Sequence, residues 1–268
     1  MLNVSVIIPT LPSRKKECAQ LIRSLPPVKE VIVVNDENLS LSQKRNKGAF
    51  QAKSEYLLFI DDDNTLKKGS LEEAIEVAKY SRVGVVGFVG CYAYNHDKVC
   101  DGGSKRNKVL GFTTDDYVNR SYLEMVYANP KGVYEVDEVA NAFLIKRSIF
   151  KKVRGFDHCN FPIELDEADL CYRLKNLGYR IVKSVGSVVY HKSYTYSRTP
   201  DFRSDVNAYF MGRNKVIFNK KHGLSLMFFP VMVALYVISM YLRCKPNMAF
   251  HFCKGVYDGL RCSVDRSI

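Results

Sequence analysis

Short, unbroken apolar runs separated by helix-patterned stretches constrain this chain more than any other feature. Residues 4–8, 30–34 and 56–60 form the runs; polar, helix-like segments at 14–24 and 41–52 lie between them, and "KKGSLEEAIEVAKY" adds an amphipathic helix after the third. Strands that lack polar alternation are covered on both faces, so this β-α-β-α-β-α order predicts a Rossmann-like, mostly parallel sheet with helices on each side. Such sheets collect ligands at the carboxyl ends of their strands. Pro9 and Thr10, Asn35 and Asp36, and Asp61, Asp62 and Asp63 all fall at such ends, so three loops are expected to line one crevice.

The third run ends in an unusual way. In "YLLFIDDDNT" an apolar strand meets three consecutive carboxylates, which repel one another and raise each other's pKa unless positive charge sits beside them. A divalent cation answers that need. Two other readings exist: a solvated turn capping the next helix, and the DxDxT nucleophile of a haloacid dehalogenase-type phosphatase, with Asp61 as nucleophile and Asp63 as acid. The phosphatase motif normally opens its domain, whereas here two β-α units precede it and no Gly-Asp pair follows.

Beyond residue 80 another apolar run occupies 83–88, and the polar, glycine-containing stretch 95–120 suits a mobile loop over a site. "VYEVDEVANAFLIKRSIFKKV" reads as a strand and a helix. "GFDHCNFPIELDEADLCYRLKNLGY" reads as a turn, an acidic knot and a helix ended by Gly178, and "RIVKSVGSVVYHKS" as a strand reaching His191.

Composition narrows the function classes. Eight cysteines with no CxxC pair argue against zinc and for small buried thiols in a reducing compartment. The strand-like start lacks a charged leader, so the chain is expected to be cytosolic, and the sequons at Asn3, Asn38 and Asn119 are read as chance. A formal net charge of +12 calls for anionic partners. Lys and Arg are spread along the chain without a stripe of interleaved aromatics, which argues against nucleic acid; a non-enzymatic binder of anionic ligands is the remaining alternative to an enzyme.

"VSVIIPT", "VIVVNDE", "RNKGAFQAKSEYLLFIDDD", the segment around "DEADL" and "VVYH" occur in the order seen in the inverting glycosyltransferases of family 2 with the GT-A fold. The sequence resembles the branch containing rhamnosyltransferases and galactofuranosyltransferases. The resemblance implies a nucleotide-sugar donor bound by Pro9, Thr10, Asp36, Arg45, Asp61 and Asp62. It implies a cation, Mn2+ or Mg2+, held by Asp63, Asp61 and His191, with oxygen-rich ligands suited to a diphosphate. It further implies that Glu167 or Asp166 takes the proton of the attacking hydroxyl, with Asp169 beside them. The chain departs from the family pattern at Asn35-Asp36-Glu37-Asn38, and at Asp166-Glu167, where Glu-Asp is usual. His96, His158, His222 and His251 match no family position.

Residues 224–242 carry no charge over nineteen positions and are flanked by Lys220, Lys221, Arg243 and Lys245. That length barely crosses a bilayer, and Pro230 with basic flanks on both sides suits a helix lying in the membrane surface or re-entering it. The expected organisation is a GT-A catalytic domain over residues 1–200 and a helical, membrane-associating region over 201–268. Residues 215–245 would meet the cytoplasmic face of the membrane, which points to a lipid-linked glycan acceptor.

Overall fold

The computed structural model describes residues 1–107, 113–115, 117–192, 204–224 and 226–264. In chain order β1 (Leu2–Pro9), a 3-10 turn (Pro12–Arg14), α1 (Lys15–Ser24), β2 (Val28–Val34), α2 (Leu41–Gln51) and β3 (Tyr56–Ile60) realise the expected alternation. They are followed by β4 (Asn64–Leu66), α3 (Ser70–Ala78), β5 (Val83–Tyr92), β6 (Asn95–Asp101), β7 (Ser104–Arg106), β8 (Thr113–Asp115) and α4 (Tyr122–Ala128). Then come β9 (Val133–Glu135), β10 (Ala142–Lys146), α5 (Arg147–Lys152), α6 (Asp166–Asn176) and β11 (Arg180–His191). Three helices close the chain: α7 (Asp205–His222), α8 (Phe229–Leu242) and α9 (Pro246–Arg261).

The main sheet runs β2-β1-β3-β10-β5-β11-β4, with β6 beside β5 and β9 beside β11. β2, β1, β3, β5 and β11 share one direction, while β10, inserted between β3 and β5, opposes them, as does β4. The apolar runs alternate between two buried layers. Val4, Val6, Ile8, Leu58 and Ile60 pack under α1 and α3 against Cys18, Leu21, Leu71 and Ala74. Ile7, Leu57, Phe59 and Phe143 pack on the other face against Ala49, Phe150, Leu170 and Leu174 of α2, α5 and α6. Their burial on both sides explains why these strands contain so few polar residues.

Two sequence expectations change. The stretch 95–120 was expected to be a mobile loop, but its described part is sheet: β6 pairs with β5 and β7 with β8, and residues 108–112 and 116 lie outside the described residues. One reason is Lys183 of β11, which is fully buried and donates from Nζ to Asp101 Oδ2 at 2.9 Å. A buried ammonium demands such a partner, so the end of β6 is held in place.

The second change concerns the charge-free run. Its helix begins only at Phe229, with Pro230 in the first turn, and no helix among the described residues is long and apolar enough to cross a membrane. Ser225 in that run lies outside the described residues, as does the expected domain boundary near 200 within 193–203. α7 and α9 approach closely enough that backbone nearly touches backbone. A Cβ on Gly255 would sit 2.0 Å from the Tyr209 carbonyl oxygen and one on Gly212 would sit 2.3 Å from that of Phe252, so only glycine fits at either position.

Candidate active site

The carboxyl ends of β1, β2, β3 and β11 place most of the expected residues at one edge of the sheet. Pro9 closes β1 against Val34, and Thr10 follows it. Thr10 Oγ1 donates to Asp62 Oδ2 at 2.5 Å, and the Thr10 carbonyl accepts from Lys44 Nζ at 2.8 Å. Asp62 is 4% exposed and also meets Arg14 at 2.8 Å, so its carboxylate braces the loop from within and does not face the crevice. Burial raises its pKa against the pull of Thr10 and Arg14.

Asp63 differs from its neighbour. His191 Nε2 lies 3.4 Å from Asp63 Oδ1, and Arg14 lies 3.3 Å from Oδ2. Burial opposes ionisation there, but the His191 hydrogen bond and the charges of His191 and Arg14 outweigh it and hold the carboxyl at about 2. β4 supports this pair, because Asn64 is in register with His191 and the Lys192 amide donates to the Asp63 carbonyl.

Asp61 faces a different cation. Its amide donates to the carbonyl of Asn141, itself in a left-handed conformation (φ 62°), and its Oδ1 accepts from Arg45 at 2.9 Å. Arg45 is 1% exposed and spans three acids: Asp61, Asp166 at 2.7 Å and Glu167 at 2.8 Å. Burial alone would weaken its charge; Glu167, Asp166 and Asp61 hold it protonated. In this structure the Arg45 guanidinium pairs with carboxylates, with Nε unpartnered.

Asp36 sits apart at the end of β2, half-buried. Its carboxylate accepts from the Asn38 amide and from Lys47 Nζ at 3.2 Å, and these contacts lower its pKa. The local cause is the capping box at the start of α2, where Ser40 and Gln43 exchange hydrogen bonds and orient the helix that carries Lys44, Arg45 and Lys47.

The acidic knot splits into different roles. Glu164 and Leu165 are consecutive left-handed residues (φ 62° and 63°), a strained turn that launches α6 with its acids at the N-terminus. α7 holds that turn in place: Asn214 Nδ2 donates to the Ile163 and Glu164 carbonyls. Asp166 is 1% exposed and bound to Arg45, whereas the Glu167 side chain keeps 16% exposure. Burial, opposed by Arg45 and assisted by Asp166 and Asp61, pushes Glu167 up to about 8.

Asp169 was grouped with the catalytic acids, and the structure corrects this. It is fully buried, meeting Arg173 at 2.8 Å, Lys221 at 2.9 Å and His222 at 3.0 Å. Burial opposes its ionisation, but His222, Arg173 and Lys221 bring it to about 2. Asp169 therefore ties α6 to α7.

Sequence reasoning missed Arg14, Lys44, Asn141 and the pair Lys221 and His222. Arg14 carried a signal, since "TLPSRKK" follows the first strand directly at the ligand-collecting edge. Lys221 and His222 carried none, because their partner lies about fifty residues upstream.

The donor set was tested for a cation. Among the described residues no group of three or more His, Cys, Asp or Glu is arranged to hold a metal. Asp61, expected as a third ligand, turns to Arg45. Asp63 and His191 remain as an ionised carboxylate beside an imidazole. That pair fits a hard divalent ion bound through one or two protein groups, with substrate phosphates completing its shell.

Comparison with known proteins follows the same geometry. The family described as "Glycosyltransferase like family 2" matches residues 2–212. A curated relative, the glucosyl-dolichyl phosphate glucuronosyltransferase of Haloferax volcanii, is 26% identical over 177 residues, covering 62% of this chain and 52% of that protein. The chain thus spans about half the length of that relative. Among solved structures, GalNAc-T7 with UDP, GalNAc and Mn2+ superposes with a TM-score of 0.57 at 14% identity, covering 83% of this chain and 51% of that one. The mannosyltransferase PcManGT from Pyrobaculum calidifontis, with GDP-Man and Mn2+, gives 0.54 at 13%, covering 97% and 76%. These likenesses establish the fold.

Proposed function

The chain belongs to glycosyltransferase-like family 2, and on that premise we propose that it moves a sugar from a nucleoside diphosphate donor to a hydroxyl of a glycan acceptor, with inversion at the anomeric carbon. The observation that carries this reading is the placement of the Asp63–His191 pair and of Glu167 at the same sheet edge, linked through Asp61 and Arg45.

Asp63 and His191 would hold Mn2+ or Mg2+, which when bound supplies positive charge against the diphosphate leaving group. Asp36 and the loop at Thr10 receive the nucleoside. Glu167 is the base: the acceptor hydroxyl oxygen attacks the anomeric carbon as the bond to the diphosphate oxygen breaks, and the proton passes to the Glu167 carboxylate. Its exposure favours Glu167 over Asp166, whose oxygens are buried on Arg45. Arg45 orients Asp61 and Glu167 relative to each other. Both neighbouring structures are complexes with Mn2+ and either UDP or GDP-Man, which supports a nucleotide donor. The curated relative is named for glucosyl-dolichyl phosphate, which supports a lipid-linked acceptor.

A panel of UDP-, GDP- and dTDP-sugars, each with and without Mn2+, tests the reading through thermal stabilisation of the protein. One donor is expected to raise the melting temperature only with metal. Asp63→Ala is expected to abolish that metal-dependent shift. If no donor shifts the wild-type transition, the enzyme reading fails.

A further inference from the structure

α8 inverts the usual arrangement of a surface helix. One side, with Phe229, Met232, Val233, Tyr236 and Met240, packs on α7 and α9. The opposite side is apolar as well: Val231, Leu235, Ile238 and Leu242 are 54–81% exposed and recur at steps of four, three and four residues, a single stripe along the helix. Met227 and Phe228 extend it at the N-terminal end. A contiguous apolar face of this kind marks an interaction surface.

Charge identifies the partner. From Val206 to Tyr257 there is no Asp or Glu, while Arg213, Lys215, Lys220, Lys221, Arg243, Lys245 and Lys254 are all cationic. Arg213, Lys220 and Lys221 turn inward onto Asn160, the carbonyls that end α9 and Asp157, and Lys215 lies over the Tyr236 ring, whereas Arg243, directly after the apolar stripe, and Lys254 are exposed. α9 adds an outward row at helical spacing, Phe250, Lys254, Tyr257 and Arg261, in which aromatic and cationic side chains alternate. Aromatic rings and long basic side chains together suit the headgroup layer, where stems bury and charged ends reach phosphate. A second copy of the chain fits less well, because a two-fold contact through this face would bring Arg243, Lys254 and Arg261 of both copies together with Asp258 as the one acid in α8 and α9, and Asp258 already accepts from Tyr209.

We propose that α8 lies flat in the surface of an anionic bilayer, with the Val231–Leu235–Ile238–Leu242 stripe among the acyl chains and the cations of the α8–α9 corner on lipid phosphates. At 14 residues the helix is about 21 Å long, less than the ~30 Å hydrocarbon core, so it lies in the interface and does not span it. The proposal deepens the lipid-linked acceptor reading and rests on it for its purpose. α7, packed against α8, also holds the turn before Glu167, so docking would set the orientation of that residue to the membrane.

The test is flotation of the full chain with vesicles of phosphatidylcholine alone or mixed with phosphatidylglycerol, for wild type and for Leu235→Glu/Ile238→Glu. Wild type is expected to float with the anionic vesicles, less so as salt rises, and the double variant to lose about tenfold or more of that partitioning. Its melting temperature and its metal-dependent stabilisation by nucleotide-sugar are expected to stay those of wild type. The proposal is overturned by absence of flotation, by equal flotation with both vesicles, or by a wild-type dimer that the double variant makes monomeric. Donor stabilisation is read in the same samples, so loss of docking and loss of the enzyme reading are separate results.

Discussion

Glu167 and Asp169 stand two residues apart in the first turn of α6, and their surroundings give them opposite chemistry. Glu167 shares one arginine with two other acids, keeps some exposure and is pushed up to about 8. Asp169 is met by Arg173, Lys221 and His222, with Lys221 shared with Asp157; it is sealed from solvent and is held at about 2. A carboxylate short of counter-charge takes up a proton readily, whereas one surrounded by cations is a structural anchor. The difference arises from α7, whose last turn supplies two of the three side chains that meet Asp169, Lys221 and His222.

The largest effect should come from breaking the anchor. Asp169→Ala leaves Arg173 buried without its acid and Lys221 with Asp157 alone, and is expected to cost about 3–5 kcal/mol, lowering the melting temperature by roughly 10 °C in a chain of this size. The wild-type anchor also has a pH signature. Asp169 has a depressed folded pKa, so its contribution is complete above the ordinary value of 3.8 and disappears as pH falls through about 2. Acid unfolding followed by circular dichroism should therefore be flatter in the variant.

Changing the other acid should leave the fold alone. Glu167→Gln is expected to lower kcat by about 10²–10⁴-fold while sparing metal-dependent donor stabilisation; turnover near wild type would make Glu167 a second anchor and erase the contrast. A finer test concerns its titration. As the proposed base, Glu167 would act only when ionised, so kcat/KM should rise with pH through an inflection near 8. Asp166 is one of the charges holding that value up, so Asp166→Asn should move the inflection downward, and an upward move would contradict the account. The smallest effect is expected at Asp36, half-buried and paired with Asn38 and Lys47. Asp36→Ala should raise the donor KM by about three- to tenfold, the worth of one hydrogen bond.

Most of the sheet was legible because it rests on local pattern: each apolar run became a strand, and each stretch between the first three became a helix. β10, which runs against its neighbours, could not be oriented from its composition, since burial on both faces looks the same in either direction. Within the site, Asp61, Asp62 and Asp63 were found together, but their separate partners Arg45, Thr10 with Arg14, and His191 depend on which way each side chain leaves the loop. The residue-by-residue pattern at "DEADL" put all three acids at the reaction centre, with Glu167 or Asp166 as the base and Asp169 beside them. Telling them apart needed cations from segments distant in the chain, which no local spacing reveals.

The clamp between Asp169 and the end of α7 restricts how such a protein can be recombined. A chimera joined near residue 200, taking its last helices from another member, would inherit an aspartate whose counter-ions had been encoded elsewhere. A swap of tails would keep this clamp only where the incoming segment brings a lysine and a histidine at the positions of Lys221 and His222.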